Sequence, residues 1–92
     1  MKRRRPRSKA RIVYELLLAL QRRGPMAPSR LATLLGLPYD RLSSLLDELQ
    51  RRGLVARREE GGHTVVEATE EGGRALASLA RALRVLEELG LE

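Results

Sequence analysis

Apolar residues return at intervals of three and four in four separate stretches of this 92-residue chain. They are Ile12, Val13, Leu16, Leu17 and Leu20; Leu31, Leu34 and Leu35; Leu42, Leu45, Leu46 and Leu49; and Leu76, Leu79, Leu83 and Leu86. Such intervals stack side chains on one face of an α-helix. The 19 leucines are accompanied by no Phe, no Trp and two Tyr, Tyr14 and Tyr39. Leu is a strong helix former and few residues here favour strands, so the core has to be aliphatic and mostly helical. A single domain of this length buries only about 60–65% of its unfolded surface, and apolar area covered by a second copy would widen its stability margin.

Turn and cap residues divide the pattern. Ser8 suits an N-cap, and Gly24-Pro25 stop a first helix of about Ser8–Arg23, with Arg22 and Arg23 against its C-terminal dipole. Met26 and Ala27 leave room for a short extended piece. Pro28 fits the first turn of a second helix, which buries Leu31, Leu34 and Leu35 and ends at Gly36. Leu37 and Pro38 form a turn, and a third helix runs from Pro38 to Arg52 with Gly53 as its cap. Leu54–Arg58 and His63–Ala68 read as strands around a Glu59-Glu60-Gly61-Gly62 loop, with Thr64, Val66 and Ala68 on one face. Thr69 is an N-cap, Glu70 and Glu71 favour the first turn, and a last helix runs from about Glu70 to Leu89. Two helices joined by a tight turn and followed by a hairpin give a winged helix-turn-helix, mainly α with a small β-hairpin wing. The expected organisation is a basic arm over 1–7, a winged helix-turn-helix domain over 8–68 and a C-terminal helix over 69–92.

The net charge of +6 sits at one end. Lys2, Arg3, Arg4, Arg5, Arg7, Lys9 and Arg11 fill the first eleven residues without an acid, and the other 81 residues carry 11 basic and 12 acidic ones. A block of like charge interrupted by Pro6 reads as a disordered arm that neutralises phosphates, or as a solubilising tail.

The runs Gly24-Pro25-Met26-Ala27-Pro28-Ser29-Arg30-Leu31-Ala32, Gly36-Leu37-Pro38-Tyr39-Asp40-Arg41-Leu42, Leu46-Asp47-Glu48-Leu49, Gly53-Leu54-Val55 and Ala68-Thr69-Glu70-Glu71-Gly72 keep a fixed order. Together they resemble the archaeal winged helix-turn-helix regulators, nearest the Sulfolobus ten-kilodalton DNA-binding proteins, from about Arg7 to Leu89. The resemblance implies a DNA-binding homodimer whose C-terminal helix pairs as an antiparallel coiled coil. It implies no target sequence. Two departures stand out: Glu59 and Glu60 at the wing tip, and Val66 and Ala68 where larger side chains usually anchor the hairpin.

On the third helix, burial of the four leucines turns Asp40, Ser44, Asp47 and Arg51 outward and leaves Arg41 and Ser43 on the flanks. The N-terminal part of a recognition helix meets base edges. The expected contacts to double-stranded DNA are Lys2, Arg3, Arg4, Arg5, Arg7, Lys9, Arg30, Tyr39, Arg41, Ser43, Ser44, Arg57 and Arg58. Arg30, Arg41, Arg57 and Arg58 also read as solvated surface. Asp40 and Asp47 are repelled by phosphate, though one of them can accept from cytosine N4; the alternative makes Asp40 a first-turn dipole residue and Asp47 a partner of Arg51 at i+4.

The last helix carries a second stripe, Ala75, Ser78, Ala82, Val85 and Leu89, beside its leucines. One stripe packs on the domain and the spare one is expected to form a homodimer interface; the alternative is one wide core-facing stripe on a monomer.

Chemistry is not expected. His63 is the sole His and there is no Cys, so neither a disulfide nor a transition-metal site is anticipated and no cofactor is assigned. Gly61-Gly62 and Gly72-Gly73 lack the Lys-Ser/Thr element of a phosphate-binding loop. The pairs Glu59-Glu60, Glu70-Glu71 and Glu87-Glu88 are sequence neighbours, which do not face one another on a helix. The chain therefore reads as no enzyme. No apolar run reaches the roughly 18 residues of a membrane span, and no secretory cleavage site follows the basic start. A cytoplasmic, nucleoid-associated protein is expected, and 16 Arg with no Asn fit a thermophile or a GC-rich genome. The partner expected is double-stranded DNA. A protein–protein interaction module or an RNA binder is the alternative.

Overall fold

Helix starts and stops fall where the cap residues place them. The computed structural model describes residues 7–92, so the basic arm lies outside the described residues apart from Arg7. Ser8 caps helix α1 (Lys9–Arg23) by accepting the Arg11 N–H at 3.0 Å. Pro28 occupies the first turn of helix α2 (Pro28–Leu35), which closes on Gly36 in the left-handed region at φ 68°. Helix α3 (Tyr39–Arg51) follows after a turn at Leu37-Pro38. Thr69 caps helix α4 (Glu70–Glu88), its hydroxyl accepting the Gly72 N–H at 3.0 Å.

The hairpin differs from the sequence expectation in length. Strand β1 spans Val55–Glu60 and strand β2 His63–Ala68, antiparallel, with Val55 opposite Ala68 and Glu60 opposite His63. Glu59 and Glu60 therefore belong to the strand, and the loop shrinks to Gly61-Gly62. Both glycines have positive φ, 57° and 80°, as the two-residue turn that matches strand twist requires. The acids are held in the ladder rather than in a loop, and the Thr64 hydroxyl donates to Glu59 at 2.8 Å across it. The extended piece before α2 adds one bridge to the sheet. Met26 N–H donates to the Val66 carbonyl at 2.9 Å and Val66 N–H donates to that of Met26 at 2.8 Å.

Leu16, Leu17, Leu31, Leu42, Leu46, Val55 and Val66 are wholly buried at the meeting of α1, α2, α3 and the hairpin. Leu34, expected on the buried face of α2, is 43% exposed. Ala32 turns inward beside Leu31 and Leu35, and Leu34 then sits about 100° off the buried axis. Leu45 is half-buried at the core's edge rather than enclosed. Helix α4 runs antiparallel along α1: Gly72 meets Leu17 at one end and Glu87 pairs with Arg11 at the other. Leu83 is buried, and Leu76 and Leu79 pack on the common core.

Candidate nucleic-acid interface

Helix α3 is fixed by Leu42, Leu46 and Leu49, which leaves its opposite side to solvent. Tyr39, Asp40, Arg41, Ser44, Asp47, Gln50 and Arg51 are exposed and Ser43 is half-buried on the wing flank. The outward orientation read from helical spacing is the one observed.

The predicted cations divide into two groups. Arg7, Lys9, Arg57 and Arg58 are engaged within the chain. Arg7 pairs with Glu15 and also donates to the Leu35 carbonyl at the end of α2. Lys9 Nζ lies 2.8 and 3.0 Å from the two Glu48 carboxylate oxygens on α3. That hydrogen bond, with the Lys9 charge and a weaker contribution from Arg52, holds the Glu48 carboxyl below the usual glutamate range. Arg58 pairs with Glu60 at 2.7 Å and Glu67 at 3.3 Å, and those two hydrogen bonds raise its guanidinium above its ordinary value.

Arg57 reaches from β1 to α3. Its Nε donates to Gln50 Oε1 at 2.7 Å and its Nη2 to Asp47 Oδ1 at 2.6 Å. The i+4 partner expected for Asp47 was Arg51, but Arg57 takes its place. Asp47 and Gln50 are one turn apart on the wing flank of α3, and a single planar guanidinium spans both. Sequence spacing within one helix does not show a partner supplied by a strand ten residues away.

Arg30 and Arg41, by contrast, make no ion pair among the described residues, and neither do Arg22, Arg23, Arg51, Arg81 and Arg84. Arg23 and Arg30 line a shared hollow of about 360 Å³ with Pro25, Met26 and Ala27. Arg23 and Arg51 were legible in the sequence only as a dipole partner and an outward residue. Arg81 and Arg84 on α4 are as free of carboxylates, so what singles out Arg23 and Arg51 is position: Arg23 borders the hollow it shares with Arg30, and Arg51 lies on the exposed side of α3. Lys2, Arg3, Arg4 and Arg5 lie outside the described residues.

On α4, Ser78, Ala82, Val85 and Leu89 of the spare stripe are exposed, whereas Ala75 is half-buried and packs against the core. Val85 and Leu89 are 51% and 65% exposed, and Leu91 continues the patch at 69%. His63 is exposed at the wing, and no group of three or more His, Cys, Asp or Glu suited to a metal occurs among the described residues. No described helix is long and apolar enough to cross a membrane.

No curated protein matches the sequence. The fold is shared with Sso10a-2, a DNA-binding protein from Sulfolobus solfataricus, at TM-score 0.81 and 20% identity, covering 90% of this chain and 85% of that one. Sco5413, a MarR family transcriptional regulator from Streptomyces coelicolor, matches at TM-score 0.74 and 28% identity over 87% of this chain and 59% of its own. A mutant of E. coli MarR, crystallised with operator DNA, matches at TM-score 0.69 and 19% identity over 75% and 51%. The chain thus spans between half and three fifths of the length of these two MarR structures. The sequence pattern of the MarR family fits residues 10–64, from α1 through the turn of the hairpin. That is more than half of the chain, and with this winged-helix fold the chain belongs to the MarR family.

Proposed function

We propose that the chain binds double-stranded DNA as a homodimer and acts as a transcriptional regulator or a chromatin-associated protein. One observation carries this reading: α3 is locked to the core on one side and exposed on the other, and its Arg41 and Arg51, like Arg30 on α2, are free of carboxylates among the described residues. The acidic character of the outer face is also reduced, because Arg57 neutralises Asp47. Arg30, Tyr39, Arg41, Ser43 and Ser44 are assigned to the duplex with the arm residues Lys2, Arg3, Arg4 and Arg5; Arg7, Lys9 and Arg58 support the surface through their internal pairs. The DNA-binding description of Sso10a-2 and the operator complex of E. coli MarR support the partner class.

The homodimer forms through the C-terminal helix, where Ser78, Ala82, Val85 and Leu89 are left exposed on one copy. The protein works in the cytoplasm on the nucleoid. Its lack of Asn and Cys fits a thermophile, archaeal by the resemblance of its motifs.

Fluorescence anisotropy of a labelled mixed-sequence duplex, titrated at low salt, tests the partner. Saturable binding is expected. No binding overturns the proposal, and tighter binding to a structured RNA of equal length transfers it to RNA.

A further inference from the structure

A guanidinium has two edges that can each grip a pair of acceptors: a side edge, Nε with Nη2, and an end edge, Nη1 with Nη2. In Arg57 the side edge is fully used, by Gln50 through Nε and by Asp47 through Nη2. The end edge has no acceptor among the described residues. Arg57 borders a shallow hollow of about 320 Å³, whose other lining residues are Asp47, Gln50 and Arg51. Arg51 brings a second positive charge there and has no ion pair among the described residues, the Asp47 carboxylate being taken by Arg57.

We infer that Arg57 is a phosphate clamp at the root of the wing. Its end edge takes two non-bridging oxygens of one DNA phosphodiester, and Asp47 and Gln50 are positioning residues that hold the plane. The inference rests on the DNA-binding reading above. A phosphate suits the site better than a base for two reasons. The Arg57 side chain lies flush against α3, 27% exposed, instead of projecting toward a groove floor. It also sits beside the C-terminal half of α3, whereas base edges meet the N-terminal turns. Holding the guanidinium before DNA arrives reduces the ordering cost of the contact.

The role given to Asp47 has a sign that plain electrostatics does not share. Removing an acid beside phosphates should tighten binding, whereas removing a positioning residue should weaken it. Duplex affinity is therefore measured for the full chain with Arg57→Lys, Arg57→Ala, Asp47→Ala, Gln50→Ala and the doubles Asp47→Ala/Arg57→Ala and Gln50→Ala/Arg57→Ala, each checked for folding by circular dichroism. Arg57→Lys should weaken binding roughly tenfold on every duplex with little change in salt slope, since the charge stays and the fork is lost. Arg57→Ala should also lower the salt slope by about one. Asp47→Ala should weaken the parent yet tighten the Arg57→Ala background. Gln50→Ala should weaken the parent and leave that background unchanged, which keeps the test open if an Asp47 variant misfolds. Parent-like binding by Arg57→Lys, or tightening by Asp47→Ala in both backgrounds, overturns the clamp. A loss confined to duplexes with a particular base pair overturns the phosphate and assigns Arg57 to a base edge. Failure of the parent itself to bind duplex overturns the clamp together with the function it rests on.

Discussion

Gly72, in the first turn of α4, lies so close beneath Leu54 that a Cβ on it would stand 2.2 Å from the Leu54 carbonyl oxygen and 3.4 Å from a methyl of Leu17. This contact lets α4 cross the start of β1 and settle along α1. A backbone oxygen cannot rotate away, so Gly72→Ala has to push the helix off the hairpin. Overpacking of this kind costs about 1–3 kcal/mol, more than the roughly 1 kcal/mol by which helices prefer Ala to Gly. The adjacent Gly73 has only Gln21 Oε1, at 3.8 Å, near its virtual Cβ. Thermal melts should show Gly72→Ala falling by several degrees and Gly73→Ala rising by a few. Equal shifts of the same sign would mean that the crossing is not tight.

Thr69 joins three segments. Its hydroxyl accepts from Gly72 N–H at 3.0 Å and donates to the Gly53 carbonyl at 2.6 Å, and its own N–H donates to the Leu54 carbonyl at 3.1 Å. Thr69→Ala loses both side-chain bonds and should cost about 1–2 kcal/mol in urea unfolding, while Thr69→Ser should stay within about 0.5 kcal/mol of the parent.

The Lys9–Glu48 contact predicts an acid-side titration. The folded Glu48 carboxyl lies below its unfolded value, so the stabilisation is present above the ordinary glutamate range and is lost as pH falls through the folded value. An NMR titration of the Glu48 side chain should give a midpoint below that of an exposed glutamate. In Lys9→Met the midpoint should move up toward it, and high salt should do part of the same.

The proposed dimerisation through α4 predicts that Leu89→Glu yields monomers, because a carboxylate would be buried without a partner at the C-terminal end of the outward stripe, among the exposed Val85 and Leu91. Light scattering on the parent should give twice the mass of one chain, and on the variant one chain's mass. An undisturbed dimer in Leu89→Glu would move the interface away from this stripe.

Most of the fold could be read from local signals. Ser8, Pro28, Gly36 and Thr69 mark helix ends because capping acts within one turn, and the leucine spacings give α3 its orientation. Non-local effects were hidden. Leu34 looks like core until Ala32 is seen to face inward, and Glu59 and Glu60 look like loop until a two-glycine turn extends the ladder. The candidate site was legible by face but not by pairing. The partners Arg57 for Asp47 and Glu48 for Lys9 come from other elements, and no periodicity within a helix encodes them. The arm is plain as composition, yet Arg7 is tied to Glu15 and to the Leu35 carbonyl, and so belongs to the folded surface.

The claim that this winged helix is a DNA binder is tested most directly by the salt dependence of duplex affinity, measured for the parent and for a full-length variant with Lys2, Arg3, Arg4 and Arg5 changed to Gln. Each phosphate contact contributes about −0.9 to the slope of log affinity against log salt. The parent should bind with a steep slope, and the variant should still bind at low salt with a slope shallower by roughly three to four units. No duplex binding by the parent at low salt, or binding that ignores salt in both proteins, would contradict the account.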